Sequence, residues 1–562
     1  MKRFLSKYAP LLLTLVFGVA VFVFWRFRYP FVLAYQEQLQ LFLFDGDYFA
    51  ERMAEPGGLA RYIAEFLVQF YNGAAIGAAI IAVLMMLTQR LVWRVMGING
   101  YYVLSFIPVA MLWYAMSDES VLLTYVVALL LSLAVMAGWR SIEKCNRYVR
   151  WSLVVVLLPL LYWLLGPMVL MVAAWVLPLS VVYAAGLILL SAHFLPYPMM
   201  RVILGIGYYR IPVTLPYVLM AIPVVILLLG YGVRRLPAPK PWMNWAQGLL
   251  AAVLVVWPQQ FGYDQKKYEL IEYDYLVRIR DWNGIIRKAE KKMPDLPMSV
   301  SATNLALAMT NQLGERAFDF YQRGAEGLLP RFERNFATSQ LTGEIYFHLG
   351  LINTAQRFAF EAMEAIPNYN KSARVVKRLA ETNLINGQYQ VARKYLQMLE
   401  KTVFYRPWAQ RTMAMLGDED AINRHPLYGT LRQYRLQDDF LFSEQELDKI
   451  CGQLFMHNHQ NQMAVQYLLM LPLMDRDIPR FMNYAEYVQG RVQYNPRHSQ
   501  EAIAFAFMQQ RQQPLQGLVS PFILQQMNDF ARIYSQDKNS PGLQQFRNTA
   551  WYYLAGCALN DE

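Results

Sequence analysis

The sequence predicts an all-α protein in two parts: a polytopic bundle of about eight transmembrane helices over 1–262, then a tetratricopeptide-like α-solenoid over 263–562. Three observations predict this. Apolar runs of span length are confined to the first part. Of the 52 Lys+Arg and 41 Asp+Glu residues, only 18 and 9 fall before Tyr263, and none of the acids lies between Glu143 and Asp264. After Tyr263 a helical pattern recurs at about 37 residues. A chain that is 56% hydrophobic and 17% charged is too apolar for one soluble domain. A long acid-free stretch with basic connections suits bilayer-embedded helices.

The first span is the apolar run ending at Trp25. It follows a basic start, and the bulky Arg26-Phe27-Arg28-Tyr29 in place of a small-residue cleavage site argues for a retained anchor. Seven further segments follow, at about Phe66–Leu87, Tyr101–Met116, Val121–Trp139, Trp151–Leu165, Met168–Ala192, Val213–Val233 and Trp242–Trp257. Several are short against the roughly 20 residues a bilayer core needs. Trp25, Trp139, Trp151, Trp242 and Trp257 stand at their ends, where an indole favours the headgroup layer. The loop Lys and Arg residues set the N-terminus in the cytoplasm, although Arg234, Arg235 and Lys240 then fall on the outer side against the rule.

The outer loop, 29–65, contains Glu37, Asp45, Asp47, Glu51, Glu55 and Glu65, six of the nine acids of this half. Beyond Pro56-Gly57-Gly58, apolar Leu59, Tyr62, Ile63 and Phe66 recur at helical spacing, with Arg61 and Glu65 on the other face. This reads as an amphipathic interfacial helix. A second short helix is expected over Gln36–Met53, broken or capped near Asp45-Gly46-Asp47. Carboxylates are thereby held at the membrane surface. Structural readings stand beside functional ones: Asp47 as an N-cap, Glu37 as part of a solvated helix face, Arg61 and Glu65 as an i,i+4 pair.

A first span, a loop with two amphipathic helices and exposed acids, and a bundle of further spans resemble the GT-C superfamily of integral-membrane glycosyltransferases. That resemblance implies a polyprenyl-phosphate-linked sugar as donor. It also implies a loop carboxylate as the base that deprotonates the acceptor, with basic residues at the donor phosphate. On it, Glu37 is the preferred base, with Asp45 and Asp47 as alternatives that could instead hold a divalent cation. Arg61, Arg201, Arg210, Arg234 and Arg235 are the phosphate partners. The chain departs from the superfamily in its few, partly short spans, and beyond Asp118-Glu119 no sharply defined acidic motif follows its third span. The phrase Gln36-Glu37-Gln38-Leu39-Gln40-Leu41-Phe42, with Pro56-Gly57-Gly58, also resembles a functionally uncharacterised family of Bacteroidota membrane proteins that end in helical repeats. This implies a bacterial inner membrane and no known activity.

In the second half, Gly343, Tyr346, Gly350, Ala355, Ala362 and Pro367 reproduce the tetratricopeptide spacing of small residues where two helices touch. Ala317 to Ala355 is 38 residues and Ala355 to Ala392 is 37. Stacked helix pairs of this kind form a concave surface that binds protein segments, so a protein partner is expected here. His457 and His459 point to different faces of a helix and read as solvated, while His348 reads as packing. Cys145, Cys451 and Cys557 are too widely spaced for a disulfide framework or a zinc site. No nucleotide or hydrolase motif occurs, and a net charge of +2 (34 basic and 32 acidic residues) disfavours nucleic acid. Two functions remain: a GT-C-like transferase whose repeats recruit the acceptor, resembling in layout the animal O-mannosyltransferases that carry tetratricopeptide repeats, or a non-catalytic membrane-anchored scaffold for an envelope assembly. A transporter ranks below both, since no ionisable residue is clearly intramembrane.

Overall fold

The computed structural model describes residues 2–97, 100–142, 146–205, 217–235, 237, 239–240, 243–331, 333, 335–366, 370–436, 447–510 and 517–557. Among these the regular structure is entirely helical, apart from one isolated bridge between Arg323 and Ala325. The chain divides into two compact units. Residues Met1–Tyr268 form the first together with two later stretches, Ile366–Arg374 and Met398–Ala409, and the remainder forms the second.

In the first unit, three helical runs are long and apolar enough to cross a membrane: Tyr8–Arg28, Ala74–Met96 and Arg147–Val176. Shorter apolar helices are Tyr102–Met116, Leu123–Trp139, Ser180–Phe194 and Tyr217–Gly232. The expected Met168–Ala192 span is not one helix. Its first turns continue the run that begins at Arg147, and Leu177 is extended before Pro178, so a new helix starts at Ser180. Proline lacks an N–H and disfavours helix at the residue before it, which accounts for the break.

Ala74–Met96 packs against both the first helix and Leu123–Trp139. Close approach is bought with small residues, since a Cβ on Gly18 would lie 2.3 Å from the Met86 sulfur. Fully buried Gln89 accepts from Thr14 at 3.0 Å and Tyr102 at 3.1 Å and donates to Ser105 at 2.7 Å. Polar side chains thus join helices that share an apolar exterior. Trp25 and Trp139, expected at a headgroup layer, are buried inside the unit, while Trp257 stacks on Tyr114 at 4.6 Å.

The helices define two ends. At one end lie loop 29–65, residues 117–121 and residues 262–268. Gln36 donates to the Val121 carbonyl at 3.4 Å, Tyr268 to the Ser117 carbonyl at 2.6 Å, and Trp163 to the Met53 carbonyl at 2.9 Å. At the other end, Arg140 donates to the Val95 carbonyl at 2.5 Å, Tyr101 to the Pro237 carbonyl at 2.8 Å, and Gln247 to the Gly100 carbonyl at 3.0 Å. The connection carrying Arg234, Arg235 and Lys240 therefore lies with Arg94 and Arg140, away from the loop.

The second unit has one continuous apolar core, reaching from Tyr273 to Cys557. Its helices pack as sequence neighbours, as in Phe336–Leu349 on Ile352–Glu364 and Leu447–His457 on Gln462–Met474. Several first helices of such pairs end in the same way. One or two positions past the helix end, a residue takes a left-handed φ at Arg280, Asn311, Gly350, Gly387 and Arg476, and the next N–H reaches back to a carbonyl in the last turn. This closes orphan carbonyls and turns the chain. Two of the five positions are the glycines of the repeat pattern; Arg and Asn at the other three hide the turn from a sequence search.

Candidate functional site

Loop 29–65 is not a surface strip of solvated acids. It forms helix Pro30–Glu37, an extended stretch, helix Gly46–Met53 and helix Gly58–Val68. The extended stretch has its backbone groups satisfied by later chain, with Leu41 N–H donating to the Lys371 carbonyl at 2.9 Å and Phe44 N–H to that of Lys401 at 2.8 Å. Extended backbone buried against protein needs such partners.

Glu65 is the centre of the loop. It is fully buried, accepts from Tyr48 at 2.5 Å and the Arg52 Nε at 2.7 Å on one oxygen, and accepts from the Arg61 Nε at 3.0 Å on the other. Burial pushes its pKa up, but the two guanidiniums and the Tyr48 hydroxyl outweigh this and hold it below the ordinary glutamate value. Arg61 also donates to Asn370 at 2.7 Å and lies 3.6 Å from Glu55. Glu55 in turn accepts from Tyr197 at 2.7 Å, and Arg201 stands over the Tyr197 ring at 5.2 Å. The arrangement is a latch of paired charges that joins the loop helices to one another.

Glu37 is buried, 4% exposed, and accepts from the Tyr405 hydroxyl at 3.1 Å. Asp45 sits at the N-terminus of Gly46–Met53, where Lys401 reaches it at 2.6 Å and holds its pKa below the ordinary value through that hydrogen bond. Asp47 is exposed in the first turn of the same helix, where a negative charge complements the helix dipole. Asp45, not Asp47, occupies the N-cap position.

Beside the loop, at the same end of the helices, opens a polar cleft of about 370 Å³. Asp118, Glu119, Asp264 and Lys267 line it with Tyr114, Tyr217 and Tyr263. Lys267 meets Glu119 at 3.0 Å; burial lowers the lysine pKa, the Glu119 hydrogen bond and charge raise it more, and the net shift is upward. Asp118 accepts from the Ser120 N–H at 3.0 Å and shapes the turn into Leu123–Trp139. An apolar pocket of about 250 Å³ adjoins, sharing Leu219 with the cleft and lined by Tyr125, Met168, Met171, Leu204 and Pro223. The Tyr125 hydroxyl donates to the Leu219 carbonyl at 2.6 Å and fixes the partition between them.

A family model described as a family of unknown function (DUF6057) matches residues 6–556. The chain belongs to this family. No curated protein and no solved structure matches it.

Of the residues singled out from the sequence of this family member, Arg61 and Arg201 converge through Glu55 and Tyr197, while Glu37 and Asp45 are held by separate partners. Arg210 lies outside the described residues. Arg234 and Arg235 belong to the turn Val233–Arg235, at the end of the bundle away from the loop. Among the described residues no group of three or more His, Cys, Asp and Glu could hold a metal ion. From the sequence, Glu65 reads as a helix-surface residue, and Asp118 and Glu119 stand out without Lys267. The lysine lies nearly 150 residues away, and its only signal was a basic pair opening the chain after the last apolar segment.

Proposed function

We propose that this is an integral membrane protein that takes an isoprenoid-linked substrate at the loop end of its helix bundle and transfers a sugar from it. The observation that carries the reading is the polar cleft adjoining an apolar pocket across Leu219. A lipid-linked phosphate sugar needs such a pair: apolar wall for the chain, charged groups for the head. In this reading Glu119 or Asp118 is the base, in place of Glu37, whose burial beneath Tyr405 leaves no room for an acceptor. Lys267 faces the donor phosphate. Asp45 and Asp47 remain the candidates for a divalent cation.

We infer an odd number of helical passes rather than eight, because loop 29–65, which follows the first helix, and residues 262–268, which follow the last, lie at the same end of the bundle. With the N-terminus in the cytoplasm, Arg94, Arg140, Arg234, Arg235 and Lys240 then share the cytoplasmic end, which removes the exception to the positive-inside rule. The loop and residues 262–268 face the other side of a bacterial inner membrane. The second unit, a tetratricopeptide-like solenoid, recruits the acceptor.

A second reading, a membrane-anchored scaffold without catalysis, is favoured by one specific observation: Glu37, Asp45 and Glu65 each serve a hydroxyl or a cation of the protein itself. One assay separates the two. The purified protein in lipid vesicles is given radiolabelled polyprenyl-phosphate sugars, and transfer to acceptor is followed for the wild type, Glu119→Gln, Asp118→Asn and Glu37→Gln. The enzyme reading expects transfer that Glu119→Gln or Asp118→Asn abolishes and Glu37→Gln preserves. Loss only in Glu37→Gln returns the base to the loop, and a wild type that consumes no donor leaves the scaffold.

A further inference from the structure

The second unit contains a cleft of about 500 Å³ remote in sequence from the acids discussed above, and its charge balance is unusual. It is lined by Arg323, Arg476 and Arg547, with Phe320, Tyr321 and Tyr553 among its walls. Two carboxylates also line it, but both are engaged: Asp319 with Arg316 at 3.1 Å, and Glu326 with Arg331. No carboxylate among the described residues lies within ion-pair distance of Arg323, Arg476 or Arg547. Among the described residues Arg323 donates to the Asp295 carbonyl, at 3.2 Å, and the Arg476 guanidinium lies over the Tyr553 ring at 4.7 Å.

The walls are set before any ligand arrives. Buried Gln322 and Asn304 exchange hydrogen bonds at 2.9 and 3.2 Å, and Gln322 also donates to the Ala317 carbonyl at 2.6 Å. His498 accepts from the Phe318 N–H at 3.3 Å and is held by buried Glu501 at 2.9 Å. Arg476 itself occupies the left-handed position that ends helix Gln462–Met474, with φ of 58°. Glycine takes this position without steric cost, as Gly350 and Gly387 do in the same unit. An arginine there costs backbone strain that nothing in the turn requires, and strained non-glycine residues concentrate where a side chain is needed.

We propose that this cleft is a binding site for a small ligand bearing two or more oxyanion groups, phosphate or carboxylate. Three unpaired guanidiniums around one rigid cavity form planar donor forks that match such groups two bonds at a time. Its volume is that of a small-molecule site. The inference does not depend on the membrane half's activity and stands if that half only anchors the protein.

The test is titration of the full-length, detergent-solubilised protein with pyrophosphate and, separately, citrate, followed by calorimetry and by thermal unfolding. Binding of either, weakening as salt is raised, is expected; the stronger of the two identifies phosphate or carboxylate as the preferred group. Arg547→Gln, an exposed change, should weaken binding about tenfold. Arg476→Gly should weaken it at least as much while raising the melting temperature, because glycine relieves the left-handed strain. A variant that is more stable yet binds less cannot owe its loss to misfolding. Absence of binding by both probes, or equal binding by wild type and both variants, overturns the proposal.

Discussion

The two units place their apolar side chains in opposite ways. In the first, Leu12, Val19, Val182, Leu228, Leu249 and Phe261 are exposed along the helices, while Glu65, Gln89, Arg52 and Arg61 are buried between them. In the second, the apolar side chains form the core, and large exposed ones are few and scattered, such as Ile279 and Phe522. The contrast matches the three helical runs of the first unit that are long and apolar enough to cross a membrane. A helix whose outer face is apolar is stable only where water is absent, and polar groups then contribute most between helices. The second unit follows the water-soluble rule.

The largest effect should come from the buried charge latch. Glu65→Gln leaves Arg52 and Arg61 without their shared carboxylate, and breaking a buried pair in this way costs about 3–5 kcal/mol. Thermal unfolding of the solubilised protein measures it, and a shift near zero would mean that water already reaches the latch. Next is a direct break of the comparison. Leu228→Lys puts a charge on an apolar face, 65% exposed, of helix Tyr217–Gly232. Membrane insertion should suffer by about 2.5–3.5 kcal/mol. The same change at Ile279, 50% exposed in the second unit, should alter stability by less than about 0.5 kcal/mol. Equal effects at the two sites would erase the distinction.

The third test sharpens the reading of the second unit as one whose apolar side chains form its core. Burial drives the His348 pKa down to about 3, against an opposing pull from Glu344. The folded state therefore keeps this histidine neutral while the unfolded chain protonates near its ordinary 6.5. Its contribution is complete above pH 6.5 and is lost as pH falls toward 3, on the order of 1 kcal/mol per pH unit. His348→Leu should flatten the acid limb of a stability–pH curve in that window, and an unchanged limb would refute the assignment. Fourth, Gly350→Ala and Gly387→Ala both place a Cβ at left-handed φ. Only at Gly350 does the new atom meet a neighbour, the Tyr434 Cβ at 2.8 Å. Losses of about 2 and about 1 kcal/mol are expected, read from denaturant midpoints. Smallest of all, Asp45→Asn removes a half-buried partner of exposed Lys401 and should leave the midpoint unmoved within error.

Much of this was legible in the residues. The apolar runs, the acid-rich loop, the Pro-Gly-Gly break and the small-residue positions Gly350, Ala355 and Gly387 all act through neighbours a few positions away, which periodicity detects. The break at Pro178 was equally local, but the hydropathy of its flanks concealed it. Arg280, Asn311 and Arg476 concealed helix-pair turns for a different reason: they occupy a conformation that composition assigns to glycine.

What the sequence determined by itself was the partition into an apolar and a polar half, the helical class of both, and the gathering of acids into one loop. Each follows from hydrophobic period and local charge, which are properties of short stretches. Only the tertiary structure decided what those acids do. The partners of Glu37, Arg61 and Asp45 are Tyr405, Asn370 and Lys401, all more than 300 positions away. Lys267 comes to Glu119, and three arginines from separate turns and connections come to one cleft, by the same kind of long-range approach. Whether a carboxylate is a base or a strut depends on the charge and burial that distant chain brings to it, and these exist only once the chain has folded.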